Sequence, residues 1–172
     1  MKELSTALAQ KDSVVTALKA KVKAALVGFE GKGLTVEEKN GKIYVSMEEK
    51  LLFPSGSYKV SQDGMNALKS LADVLIANPD INIMVEGHTD DVPYKGTGDI
   101  KDNWDLSVLR ATSVVKILVA DGVDPKRLTA AGRGEYFPVD PAKTPEARAK
   151  NRRTEIILTP KLDEIFKVLD NN

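Results

Sequence analysis

Cysteine is absent from the chain, which removes disulfide scaffolds, thiol nucleophiles and cysteine-based zinc sites. Histidine occurs once, so a catalytic zinc centre would have to be completed mostly by carboxylates. Neither sign of charge is in excess, with 25 basic residues against 25 acidic ones. Nucleic-acid binders usually gather a basic surplus on one face, so no nucleic acid is expected as a partner. No apolar run is long enough to cross a bilayer, and the opening "MKELSTALAQKDS" has no apolar signal-peptide core. Any export signal or membrane anchor is therefore expected upstream of these residues. What is present suits one globular domain with a real core plus an appendage: 172 residues, 42% hydrophobic and 29% charged.

The appendage comes first. Leu4, Leu8, Val15, Leu18, Val22 and Leu26 recur at spacings of three, four and seven, so residues 1–29 read as a helix. Its narrow stripe suits a coiled-coil seam and a homodimer, or a single helix packed on the domain. "GFEGKG" breaks the pattern, and the domain boundary is placed there, with a second unit over residues 30–172. Two alternating runs around Asn40-Gly41 predict a hairpin with a type I′ turn. "LLFPSGSYKVS" reads as a loop, and Ser61 as the cap of a helix that reaches Ala77. "INIMVEG" is an apolar strand, followed by a long polar loop from Gly87 to Asp102 and a helix from Asn103 to Asp121. "RLTAAGRG" is a short strand; Thr144 caps a short helix with Pro145 at its first position; "RRTEIILT" is a last strand; "KLDEIFKVLD" is a terminal helix. The interleaving predicts an α+β fold, helices packed on a mixed β-sheet, preceded by the N-terminal helix.

Catalytic patterns fail one by one. His88, Asp90 and Asp91 in "GHTDD" are a possible metal set, but further good ligands are lacking. The simpler expectation for His88 is a strand-end imidazole bonded to backbone, and no metal or cofactor is expected. "DIKDNWD" lacks the glycine and distal glutamate of a calcium loop. Ser107 sits in "DLSVL", without the glycines that expose a nucleophilic serine. "GKG" and "GRGEYF" complete no phosphate or dinucleotide motif. No enzyme is expected.

A binding pattern survives. If Asn103 caps its helix, positions 103, 106, 107 and 110 share one face. Asp90 lies at the far end of the same loop, so Asp90 and Arg110 are expected to flank one crevice, or to form a plain salt bridge. Arg152 and Arg153 open the last strand, where period two sends them to opposite faces.

"LLFPSGSYKVS", "VEGHTDDVP", "NWDLSVLRATSVVKIL", "GVDPKRLTAAGRGEYFPV" and "TPEARAKNRRTEIIL" occur in that order. Together they resemble the OmpA-like C-terminal domain family, which includes the stator protein MotB and the peptidoglycan-associated lipoprotein. The resemblance runs from about Leu34 to Leu158. It implies a periplasmic module that binds peptidoglycan noncovalently, attached to the outer membrane in the full-length protein. The implied ligand is the diaminopimelate of the stem peptide, with its ammonium on Asp90 and its carboxylate on Arg110. Asn103, Leu106 and Arg152 match positions that line the pocket, and the loop at Ser55 and Gly56 matches one that supplies backbone contacts. The stretch between Asp90 and Asn103 is longer than in many members and closer to the stator type. The alternative is a stator-like or scaffold module in which dimerisation dominates.

Overall fold

The computed structural model describes residues 2–96 and 98–161. Helix α1 spans Lys2–Ala25, and strands β1 (Leu34–Lys39) and β2 (Lys42–Glu48) form the expected hairpin. Asn40 and Gly41 both have positive φ, 53° and 76°, as the tight turn between Lys39 and Lys42 requires. Helices α2 (Glu49–Leu52) and α3 (Gln62–Ala77) come next, then β3 (Ile81–His88), α4 (Asn103–Ala120), β4 (Leu128–Gly132), α5 (Pro145–Asn151) and β5 (Arg153–Pro160). The sheet order is β1-β2-β5-β3-β4. Every pairing is antiparallel except β3 with β4, which α4 joins as a crossover. The sheet is therefore mixed, with helices layered on it, as the sequence predicts. "KLDEIFKVLD" lies beyond its first lysine outside the described residues.

Alternation builds the core. Ile43, Val45 and Met47 of β2, Ile81, Ile83 and Val85 of β3, and Ile156 and Leu158 of β5 are all buried on one face. Leu68, Leu71 and Leu75 of α3 and Ala111, Val114 and Leu118 of α4 close over them. Helix α1 divides its stripe: Val15, Leu18, Val22 and Leu26 join this same core, whereas Leu8 stays half exposed. The helix also stops at Ala25, earlier than its apolar spacing suggests, and a turn carries the chain to Phe29.

Local signals set two of the helix starts as expected. The Ser61 hydroxyl accepts from the Gly64 amide at 3.1 Å, and Thr144 accepts from Ala147 at 3.2 Å. Three expectations need correction. "LLFPSGSYKVS" is not loop throughout: Leu51 and Leu52 end α2, and with Phe53 they are buried, because three apolar side chains in succession gain more from the core than from solvent. Asn103 is the first residue of α4, not its cap; the Asp102 carboxylate accepts from the Asp105 amide at 2.9 Å. Arg152 lies outside β5 as the C-cap of α5, so strand alternation does not orient it.

Two glycines fix α4 on the sheet. A Cβ at Gly87 would collide with the Ser107 carbonyl oxygen, and one at Gly132 would lie 2.5 Å from a Val108 methyl. Gly87 and Gly132 are register partners on β3 and β4, so the helix backbone rests directly across the two strands. Ser107 completes the seat: its hydroxyl donates to the Trp104 carbonyl at 2.9 Å and accepts from the Gly134 amide at 3.1 Å. Its bonding is that of a packing residue.

Candidate functional site

The residues of α4 expected to share one face do so, and that face points inward. Asn103, Leu106, Ser107 and Arg110 are all buried. Asn103 holds the start of the long loop, its amide donating to the carbonyls of Val92 (3.1 Å) and Asp90 (3.4 Å). The Arg110 guanidinium lies 5.0 Å from the Phe53 ring centroid. Its Nε donates to the Ser57 carbonyl at 2.9 Å and its Nη1 to Glu49 Oε2 at 3.0 Å. Its Nη2 is buried and has no hydrogen-bond partner among the described residues.

Asp90 and Arg110 do not pair with each other. Asp90 Oδ2 receives Arg152 Nη1 at 2.7 Å, and Glu49 Oε2 lies 3.4 Å from Arg152 Nε. The charges thus alternate along one line, Arg110, Glu49, Arg152, Asp90, and they cancel. Backbone holds this line together as well, since the Glu49 amide donates to the Arg152 carbonyl at 2.8 Å. Helix α2 brings Glu49 to the site, and sequence reasoning missed it because the apolar "LL" after it hid the helical turn.

Ser55 and Gly56 form an exposed tip beside this line, with Gly56 at φ 71°. The contacts come from their neighbours and from the loop opposite: Ser57 supplies its carbonyl to Arg110, and the Tyr94 hydroxyl donates to the Gly56 carbonyl at 3.4 Å. Asp91 turns away from Asp90 to Arg148 at 2.8 Å and Lys143 at 3.7 Å. The Arg148 hydrogen bond holds the Asp91 carboxyl below its ordinary range and, reciprocally, raises Arg148.

His88 corrects another expectation. Its Nε2 meets a side chain, Glu86 Oε1 at 2.7 Å, where a backbone partner is expected, and Nδ1 has no partner among the described residues. The cause is the period of the strand: Glu86 and His88 share the face of β3 opposite the core, and Glu155 lies directly across from Glu86 on β5. His88, Asp90 and Asp91 therefore do not converge. Ligand atoms of Glu86, His88 and Glu155 do lie within 4.8 Å of one another. Both carboxylates are already engaged, Glu86 by Arg133 at 3.3 Å and Glu155 by Arg153 at 3.0 Å, so a cation there would compete with two guanidinium groups. The His88 hydrogen bond is the main cause of a lowered Glu86 pKa, against burial, which pushes it up.

Residues 52–152 match the OmpA family. The chain is similar to Motility protein B of Bacillus subtilis, 35% identical over 120 residues that cover 69% of this chain and 46% of that protein. It is 41% identical over 91 residues to the Peptidoglycan-binding protein ArfA of Mycobacterium bovis, covering 53% of this chain and 26% of the other. A crystal structure of a putative MotB-like protein from Desulfovibrio vulgaris matches with a TM-score of 0.79 at 30% identity, over 88% of this chain and 99% of that one. The chain spans about half the length of the first curated relatives it matches, 46%, 57% and 59%. Ordered motifs, sheet topology and these matches agree: the chain belongs to the OmpA family.

Proposed function

We propose that this chain binds peptidoglycan noncovalently, without cleaving it, and seats the diaminopimelate of the stem peptide in the Arg110–Asp90 site, so that the envelope is held to the wall. The observation that carries the reading is the buried Arg110 Nη2 without a partner. A guanidinium donor withheld from water and left unmet costs on the order of 1–3 kcal/mol, and a ligand carboxylate would remove that cost. Arg152 stands next in line with one third of its side chain exposed, and beyond it the Asp90 carboxylate offers the complementary charge for an ammonium. A ligand end bearing both charges inserts into the alternating line without leaving any member unpaired. Asn103 and Leu106 shape the wall, and the tip at Ser55 and Gly56 frames the mouth. The matched protein named as peptidoglycan-binding supports the same ligand class. The reading places the domain in the periplasm, with attachment to the outer membrane.

Co-sedimentation with purified diaminopimelate-containing peptidoglycan tests it. Asp90→Ala is expected to lower affinity roughly ten- to a hundredfold while the amide spectrum stays dispersed. Wild-type sedimentation by this variant would remove the site from the reading. Release of soluble wall fragments during the assay would instead mark an enzyme.

A second reading, a stator-like scaffold in which homodimerisation dominates, is favoured by one observation. Leu8 continues the α1 stripe beyond the core and is 50% exposed. Sedimentation velocity of the wild type and Leu8→Lys addresses it: a dimer that the lysine dissociates is expected, and a wild-type monomer at high concentration rejects it.

A further inference from the structure

We propose that Trp104 and Tyr136, with Phe137 beside them, form a second subsite that stacks against the sugar rings of the peptidoglycan glycan strand, next to the peptide site. The proposal rests on the peptide reading above for its location. Trp104 and Tyr136 are 49% and 60% exposed, yet they stack with ring centroids 5.3 Å apart and planes 28° from parallel. Phe137 is 52% exposed, with the Arg133 guanidinium 4.3 Å from its centroid. Exposed large aromatics grouped in this way generally mark a contact surface.

The patch is built into the same elements as the peptide site. Trp104 follows Asn103 on α4, so their Cα atoms are about 3.8 Å apart, and Asn103 points in while Trp104 points out. Gly134 lies beneath the pair: a Cβ there would meet the indole at 3.4 Å and the Tyr136 ring at 3.5 Å. The Gly134 carbonyl accepts from the Thr89 amide at 2.8 Å, one residue before Asp90. The rings are thus tied through Gly134 and Thr89 to the start of the loop that carries Asp90.

The chemistry of the occupant follows from the surface. A pyranose ring presents an apolar C–H face and a polar rim, which complements an aromatic face bordered by polar groups. The N-acetylated glycan is uncharged, and the guanidinium that stacks on Phe137, Arg133, is already paired with Glu86 at 3.3 Å. Any ligand whose stem peptide reaches Asp90 carries its sugars on a short covalent tether, which favours occupation of a neighbouring subsite by raising the local concentration.

Trp104 is the single tryptophan in the chain, so its fluorescence reports the subsite directly. Three probes are titrated into the intact chain: a disaccharide-bearing muropeptide, the same stem peptide without sugar, and a peptide-free N-acetylglucosamine oligomer. The muropeptide is expected to bind about five- to tenfold more tightly than the bare peptide, and the sugar oligomer is expected to perturb the indole weakly. Tyr136→Ala should abolish the muropeptide advantage and leave the affinity for bare peptide unchanged. Equal affinities for muropeptide and peptide in the wild type overturn the subsite and leave the peptide reading standing. Binding of the sugar oligomer without either peptide overturns the peptide reading and supports the subsite. No response to any probe overturns both. Self-association abolished by Tyr136→Ala, with no sugar effect, identifies the patch as a protein contact and overturns the proposal.

Discussion

Arg110 and Arg153 are both buried arginines held by a glutamate, and they differ in the use of their remaining nitrogens. Arg153 spends all three: Nε on Glu155 at 3.0 Å, Nη1 on the Asn151 carbonyl at 3.2 Å and Nη2 on the Phe137 carbonyl at 3.0 Å. Arg110 spends two and keeps Nη2 open. Arg153 ties β5 to the segment after β4, and its ion pair with Glu155 lies on the sheet face opposite the core. Arg110 sits in a line of four alternating charges whose next cation, Arg152, reaches solvent. Two side chains of the same type, both buried, thus differ in whether every nitrogen is bonded within the fold, and the proposed ligand site uses the one that is not. The Glu86–His88–Glu155 cluster behind the sheet has its own open atom, His88 Nδ1, but a single ring nitrogen cannot offer the planar fork of a guanidinium.

Arg153→Ala is the largest break in this contrast. It leaves Glu155 without its guanidinium and two carbonyls without donors, and about 3–5 kcal/mol of unfolding free energy should be lost. Urea denaturation measures this, and binding per folded molecule should be unchanged. A loss under about 1 kcal/mol would make Arg153 no more structural than a surface pair. Arg110→Lys is the next in size. An ammonium keeps the charge beside Glu49 but cannot supply the planar fork, so affinity for a diaminopimelate peptide should fall about ten- to a hundredfold. Its stability should change less than that of Arg153→Ala. Calorimetric titration with normal affinity would erase the distinction between the two arginines.

The smallest effect sharpens the back cluster alone. Folding holds the Glu86 carboxyl below its ordinary range, mainly through His88. Its contribution is therefore present above the unfolded-state value and lost as pH falls through the folded-state value. The stability gap between wild type and Glu86→Gln should be widest near neutrality and shrink with acidification below about pH 4.5. A gap that widens on acidification would mean that the carboxylate is not stabilised by its neighbours.

The elements that were legible in the sequence depend on near neighbours. Asn40-Gly41, the caps at Ser61 and Thr144, and the inward face of α4 are each decided within a few residues. The charged members of the site were legible as residue types, but their partners were not. Asp90 and Arg110 looked like mutual partners because one loop and two helix turns separate them. Glu49, 61 positions from Arg110, enters between them together with Arg152, and no local pattern encodes that meeting. His88 was misjudged for the opposite reason: its partner Glu86 is two residues away, and the strand period that brings them together was not applied. The aromatic patch is not legible in "GRGEYF", which completes no phosphate or dinucleotide motif, because its ring partner lies on α4.

The contact of α4 with Gly87 and Gly132 has a consequence for the thermodynamics of binding. Where backbone rests on backbone, α4 cannot slide or roll to meet a ligand, so Asn103 and Arg110 are presented by a support with very few alternative positions. For the proposed ligand, little ordering of the main chain would remain to be done, and the unfavourable entropy of association would come mainly from the ligand and from the exposed Arg152 side chain. Any side chain at Gly87 would lift the helix off the strand and restore that missing freedom, with a weaker and more entropically opposed complex as the result.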